Sequence, residues 1–159
     1  MNNMKKNCFI LMTLIGLLSL FTSTAEAQKL TKVTTNRYGL KLNIKSVQAF
    51  ERKVVIEGVF QNNDDSDIGV NMRGYWTEAF DDEGNRYTGD AFSFGLGSKS
   101  MGSGVGSVIP AGTSLKMRVE IKGVPEAASY IDYLKIDTYP ETDKNIIIRN
   151  LPISREGDE

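Results

Sequence analysis

Histidine is absent from the 159 residues, and cysteine occurs once, at Cys8. Histidine is the usual general base near neutral pH and the commonest metal ligand. Serine-histidine and cysteine-histidine hydrolysis therefore have no base to work with. Charge of one sign is lacking too. With 19 basic and 20 acidic side chains, the chain carries no electrostatic footprint for nucleic acid, which excludes that partner class. Long apolar runs are also missing: the longest, residues 9–21, has 13 residues, against roughly 20 for a spanning helix.

That run sits in a recognisable setting. Lys5 and Lys6 precede it, and Ala25-Glu26-Ala27 follows. A basic start, a short apolar stretch and a small-x-small site make residues 1–27 a secretory signal, cut before Gln28. Cys8 lies ahead of the apolar run, so no lipid-anchored cysteine follows it, and the mature product is expected to be exported, periplasmic or extracellular, without a stable membrane anchor. Cleavage leaves 132 residues without a thiol. A chain of that size buries roughly two thirds of its unfolded surface and needs no disulfide.

Residues 28–38 are mostly polar and show no sustained period; they are expected to form a flexible arm. From Leu40 the pattern is that of strands. Leu40, Leu42 and Ile44 alternate with Lys41, Asn43 and Lys45, and Val54, Ile56 and Phe60 continue the theme. Asn62-Asn63-Asp64-Asp65-Ser66-Asp67 is a turn cluster. Ile68, Val70, Met72, Gly74 and Trp76 share one parity, which assigns the only tryptophan to the core. Asp81-Asp82-Glu83-Gly84-Asn85 predicts a hairpin turn with glycine at positive φ. Residues 89–106 hold six glycines and predict a surface loop, or at most a short edge strand. Leu115, Met117, Val119 and Ile121 alternate without error against charged neighbours. Pro125-Glu126-Ala127-Ala128 suits one short helical turn. Leu134, Ile136 and Ile146 to Ile148 lie on two further strands, the domain spans residues 39–153, and residues 154–159 form an acidic tail.

About seven short strands with turn signals between them, and at most one short helical turn, predict an all-β antiparallel β-sandwich; a closed barrel is the competing architecture. The stretches 54–62 (VVIEGVFQN), 80–85 (FDDEGN) and 109–114 (IPAGTS) resemble small exported bacterial immunoglobulin-like β-sandwich domains of unknown function. The resemblance implies an immunoglobulin-like fold over roughly residues 40–138 and no catalytic residues. The immunoglobulin-type cysteine pair is absent.

Gly95-Leu96-Gly97-Ser98-Lys99-Ser100 resembles a phosphate loop superficially, but serine stands where glycine must precede the lysine. No Ser-x-x-Lys occurs. Asp64, Asp65, Asp67, Asp81, Asp82 and Glu83 are oxygen ligands that suit calcium, and two turns at one end of a sandwich would share an ion; plain solvated turns need the same residues. Paired carboxylates would also serve a glycan hydrolase. The Lys116, Arg118, Glu120, Lys122 stripe reads as a solvated face.

Aromatic side chains remain. Tyr75, Tyr87, Phe92 and Phe94 are the candidate ligand-binding residues, with Tyr75 pointing outward by parity. The reading that follows is a non-catalytic exported module that binds a protein or glycan partner and needs no cofactor. A carbohydrate-binding module using exposed aromatics is the first alternative and a carboxylate-dependent glycan hydrolase the second. Intact mass of the exported product should begin at Gln28; a full-length, membrane-retained product would contradict the cleavage.

Overall fold

The computed structural model describes residues 31–35, 39–99, 101–138 and 145–155. The signal segment 1–27 lies outside the described residues, as do 28–30 and 36–38 of the expected arm. The described chain is all-β. Ten strands follow in order: β1 (Lys32–Thr35), β2 (Leu40–Phe50), β3 (Lys53–Asn62), β4 (Ile68–Asp81), β5 (Arg86–Thr88), β6 (Phe92–Leu96), β7 (Gly104–Ile109), β8 (Ser114–Lys122), β9 (Tyr130–Thr138) and β10 (Ile146–Pro152). One 3-10 turn, Gly89–Ala91, separates β5 from β6.

The strands form two sheets, and every pairing between the ten strands is antiparallel; an isolated parallel bridge joins Gln48 of β2 to Ser154. One sheet runs β2-β3-β8-β6; the other runs β1-β10-β9-β4-β5, with β7 added on β4. Because β9 pairs with one side of β4, β7 and β5 share the other side, β7 along Ile68 to Arg73 and β5 along Glu78 to Phe80. Alternation explains the interior. Val54, Ile56 and Phe60 of β3 and Met117, Val119 and Ile121 of β8 turn inward, where they join Ile131, Leu134, Ile136 and Ile148 of the other sheet in one apolar cluster. That shared core is consistent with a β-sandwich.

Three expectations need correction. Residues 32–35 are a strand, not an arm: Lys32 to Thr35 pair with Arg149 to Ile146, and Val33 packs against the core. Four residues are too few to display a period. The stretch 89–106 is not a surface loop and exceeds the edge-strand alternative, supplying β6 and the start of β7 as two edge strands: Phe92, Phe94 and Leu96 on β6 are fully buried and β7 is hydrogen-bonded to β4. Its glycines answer local geometry: a Cβ on Gly95 would lie 2.8 Å from the Met101 sulfur, and Gly97 turns the chain at φ +59°. Among the described residues there are accordingly ten strands instead of about seven.

The far end of the domain is also better tied down than a frayed tail. The Ser154 amide donates to the Val47 carbonyl at 3.0 Å, and Arg155 Nη2 donates to the Ala128 carbonyl at 2.5 Å; residues 156–159 lie outside the described residues. At Pro125 the chain turns, with the Ala128 amide on the Pro125 carbonyl at 3.2 Å, but the turn is not the helical one expected there; the 3-10 turn falls at Gly89–Ala91 instead.

Because β6 supplies three wholly buried side chains, Phe94→Ala should destabilise the domain by about 3–5 kcal/mol. Urea denaturation measures it. A change under about 1 kcal/mol, the size typical of exposed positions, would return this segment to the surface.

Candidate functional site

β4 is 14 residues long, and its two halves do not keep one parity. Ile68, Val70 and Met72 face the core in the first half, Ala79 and Asp81 in the second. The reversal is visible in the register against β9. Arg73 lies opposite Asp137 and Glu78 opposite Lys135, so residues 74–77 face only Ile136 and β4 carries three residues in excess. A bulge of this kind breaks the ladder locally and re-aims side chains.

Its neck is closed by a hydroxyl. Thr77 Oγ1 donates to the Arg73 carbonyl at 2.6 Å and accepts the Asp137 amide at 3.0 Å. Beside it, Arg73 Nε and Nη2 donate to Asp137 Oδ2 at 3.1 and 2.9 Å, and Asp137 is buried. On the other side, the Gly74 amide donates to the Ser103 carbonyl at 2.8 Å. Only glycine fits there, because a Cβ would stand 2.9 Å from the Gly89 carbonyl oxygen.

Two large aromatic rings stand on this locked bulge. Tyr75 is 77% exposed and Trp76 60%. The rings meet edge to face, with centroids 4.6 Å apart and planes at 88°. This overturns the assignment of Trp76 to the core. Charge patterning does not reveal the change of face in advance: continuing the parity of Ile68 sends Glu78 inward, and reversing it sends Asp81 inward instead, where it is buried.

Of the other candidate aromatics, Tyr75 alone lies where expected. Tyr87, Phe92 and Phe94 are buried. The two phenylalanines stack on each other at 6.2 Å inside the core, and the Tyr87 hydroxyl donates to Asp81 Oδ2 at 2.6 Å. None of the three joins Tyr75 on the surface.

The acidic candidates are organised by backbone. Asp81 is buried, and its carboxylate accepts the Glu83 and Asn85 amides at 3.1 and 2.8 Å, the Asn85 side-chain amide at 3.0 Å and the Tyr87 hydroxyl. Burial pushes this carboxyl up, but the bonds from Tyr87, Asn85 and the two amides outweigh it, so the group lies below its ordinary value. Tyr87 is displaced the opposite way: burial, then the neighbouring Asp81 carboxylate, raises its hydroxyl. Asp82 accepts the Ser129 and Tyr130 amides at 3.0 and 3.2 Å, and Glu83 is exposed.

In the other turn, Asp64 Oδ1 accepts the Asp65 amide at 2.8 Å and Asp67 Oδ1 the Ala111 amide at 3.1 Å. Buried Asn62 organises it, donating to the Ser66 and Ile109 carbonyls. The two turns lie at opposite ends of β4, on the order of 40 Å apart at ordinary strand rise. They therefore share no ion. Among the described residues, no three acidic side chains converge into a cation-binding group.

The outer face of the four-stranded sheet holds an open groove of about 470 Å³ lined by Lys45, Glu57, Lys116, Arg118 and Glu120. Three of these charges pair with one another, Arg118 with Glu57 at 3.4 Å and with Glu120 at 3.0 Å. No protein-family model matches the chain, and no curated protein matches it.

Asp81 sets a pH dependence. Its folded value is depressed, so its contribution to stability is complete above the unfolded value near pH 4 and is lost as pH falls through the folded one. Melting temperature followed from pH 6 down to about pH 2 should fall less steeply in Asp81→Asn than in the wild type. Parallel curves would remove Asp81 from that role.

Proposed function

We propose that this chain is a non-catalytic exported module that binds glycans through the Tyr75–Trp76 bulge. The observation that carries the reading is the pair of exposed rings held at right angles on a bulge whose neck is locked by Thr77. Large aromatic rings left in water gain most when a ligand covers them. Trp and Tyr are also the side chains that dominate binding energy where they form a contact's centre. The C–H face of a pyranose lies flat on an aromatic face, and a second ring at 88° gives the corner a wall against the sugar's edge. Rigidity matters as much as exposure, because a contact already in its bound geometry loses little entropy on binding.

Export rests on the first 27 residues. The fold is read more finely as immunoglobulin-like. Supporting this, the order β2-β3-β8-β6 corresponds to strands A, B, E and D of that frame, and β10-β9-β4 to G, F and C. On this reading β4 is the strand on which antibody domains bury a tryptophan; the bulge turns Trp76 outward instead. The hydrolase alternative has less to support it. Asp81 spends its lone pairs on the turn, and Glu78 is held below its ordinary value by the Lys135 hydrogen bond, against burial and with help from Arg86. Both shifts run against proton donation at neutral pH.

Affinity electrophoresis across a panel of polysaccharides tests the proposal. Trp76→Ala should abolish retardation, weakening affinity by about 30-fold or more, as at a binding hot spot, while melting temperature stays near wild type because the ring is exposed. Thr77→Val should weaken binding with both rings present. Wild-type mobility unchanged by every polysaccharide would sink the glycan assignment.

A further inference from the structure

Strand edges invite pairing with other chains, and sheets defend them with charge, short length, bulges or covering segments. Four of the outer strands here carry such a defence. β1 has four residues and Lys32. β5 has three and begins at Arg86. β2 carries Lys41 and Lys45 and a bulge between Ile44 and Ser46. β6 is bonded in both directions to Gly102, the Phe94 amide donating at 2.7 Å and accepting at 3.0 Å through its carbonyl.

β7 has none of these within the strand. Its sequence is Gly-Val-Gly-Ser-Val-Ile, uncharged and free of proline, and its register against β4 runs without a break from Ile68↔Ile109 to Arg73↔Gly104. The Gly74 amide bonds the Ser103 carbonyl, which places residues 103, 105, 107 and 109 with their polar groups toward β4. Residues 104, 106 and 108 then turn theirs to the outer edge, and Lys99 Nζ donates to the Gly106 carbonyl there. Among the described residues, no strand pairs with this edge. Val108 is 57% exposed.

We propose that β7 is a homodimerisation edge, at which two copies of this chain join β7 to β7, antiparallel, about a twofold axis through Gly106. Three features favour a second copy over another occupant. An antiparallel pair is symmetric about a hydrogen-bonded residue pair, so Gly106 exchanges both bonds with its counterpart, as an isologous contact requires. Gly104 then lies opposite Val108 of the partner subunit, whose exposed side chain covers the surface that glycine leaves bare. The uncharged strand opposes no like charges across the axis. The two six-stranded sheets become one continuous sheet. Lys99 must release the Gly106 carbonyl first, which makes it the guard of this edge and keeps association weak.

Sedimentation velocity of the purified protein over a micromolar to millimolar range, with amide exchange at Gly104, Gly106 and Val108, tests this. The wild type should shift from monomer to dimer with those amides slowing in step. Lys99→Ala should tighten the dimer by about tenfold, and Val108→Pro, which removes an outward N–H, should weaken it by at least about tenfold. Val108→Lys replaces it if the proline variant fails to fold. Trp76→Ala should dimerise like the wild type, which separates this proposal from the glycan reading. A monomer at every concentration, or a dimer that leaves the three amides unprotected, overturns it.

Discussion

A strand can present the same face to its core on both sides of an irregularity only if the register excess matches the change in parity. In β4 the excess is three residues, an odd number, and everything at the exposed site depends on it. Ile68 to Met72 and Ala79 to Asp81 both face inward, although a continuous strand would send one group out. The cost is a segment of four residues without ladder partners toward β9 except at Ile136. Thr77 offsets that cost by lending its hydroxyl as both donor and acceptor to backbone groups that would otherwise be buried and unpaired. Arg73 and Asp137 close the same neck with an ion pair whose carboxylate is buried, where removing one partner is far more damaging than the pair itself is stabilising.

The C-terminal end of β4 solves a second problem with the same economy of side chains. Asp81 ends the strand facing inward, and a buried carboxylate is costly unless its lone pairs are engaged. Two amides, an asparagine and a tyrosine hydroxyl engage them, so the hairpin to β5 is built around a charge instead of around an apolar contact. Tyr87 gains its burial by the same bond. Asn62 does comparable work at the other end of β4, joining the turn after β3 to Ile109 at the end of β7.

Where alternation is unbroken and charged residues mark the outer face, as in β8 and most of β3, the strands can be read directly from composition and period. Such reading fails for physical reasons elsewhere. β6 and β7 are interspersed with glycine, and glycine signals looseness in a sequence even where it serves close packing, as at Gly95. β1 is held by β10, a partner over a hundred residues away, and has no period of its own. At the exposed site, parity turns Tyr75 outward and Trp76 inward; it holds for the first and fails for the second, because one-strand parity assumes a straight strand. The acidic turns show a further limit: Asp81, Asp82 and Asp64 look alike in sequence, and only backbone geometry separates a carboxylate spent on its own turn from one offered to a ligand.

The pairing of β1 with β10 joins distant parts of the sequence without a long loop to close. The Thr31 hydroxyl donates to the Asn150 carbonyl across 119 positions, yet β2 begins at Leu40, five residues after Thr35, and the Leu40 carbonyl accepts the Thr35 hydroxyl. Against a domain already formed from Leu40 onward, β1 has only a short loop to close, and such a closure costs little entropy. β1 then ends one sheet beside β10 while β2 ends the other beside β3. A single N-terminal segment thereby borders both layers, and tension applied to it loads both sheets at once.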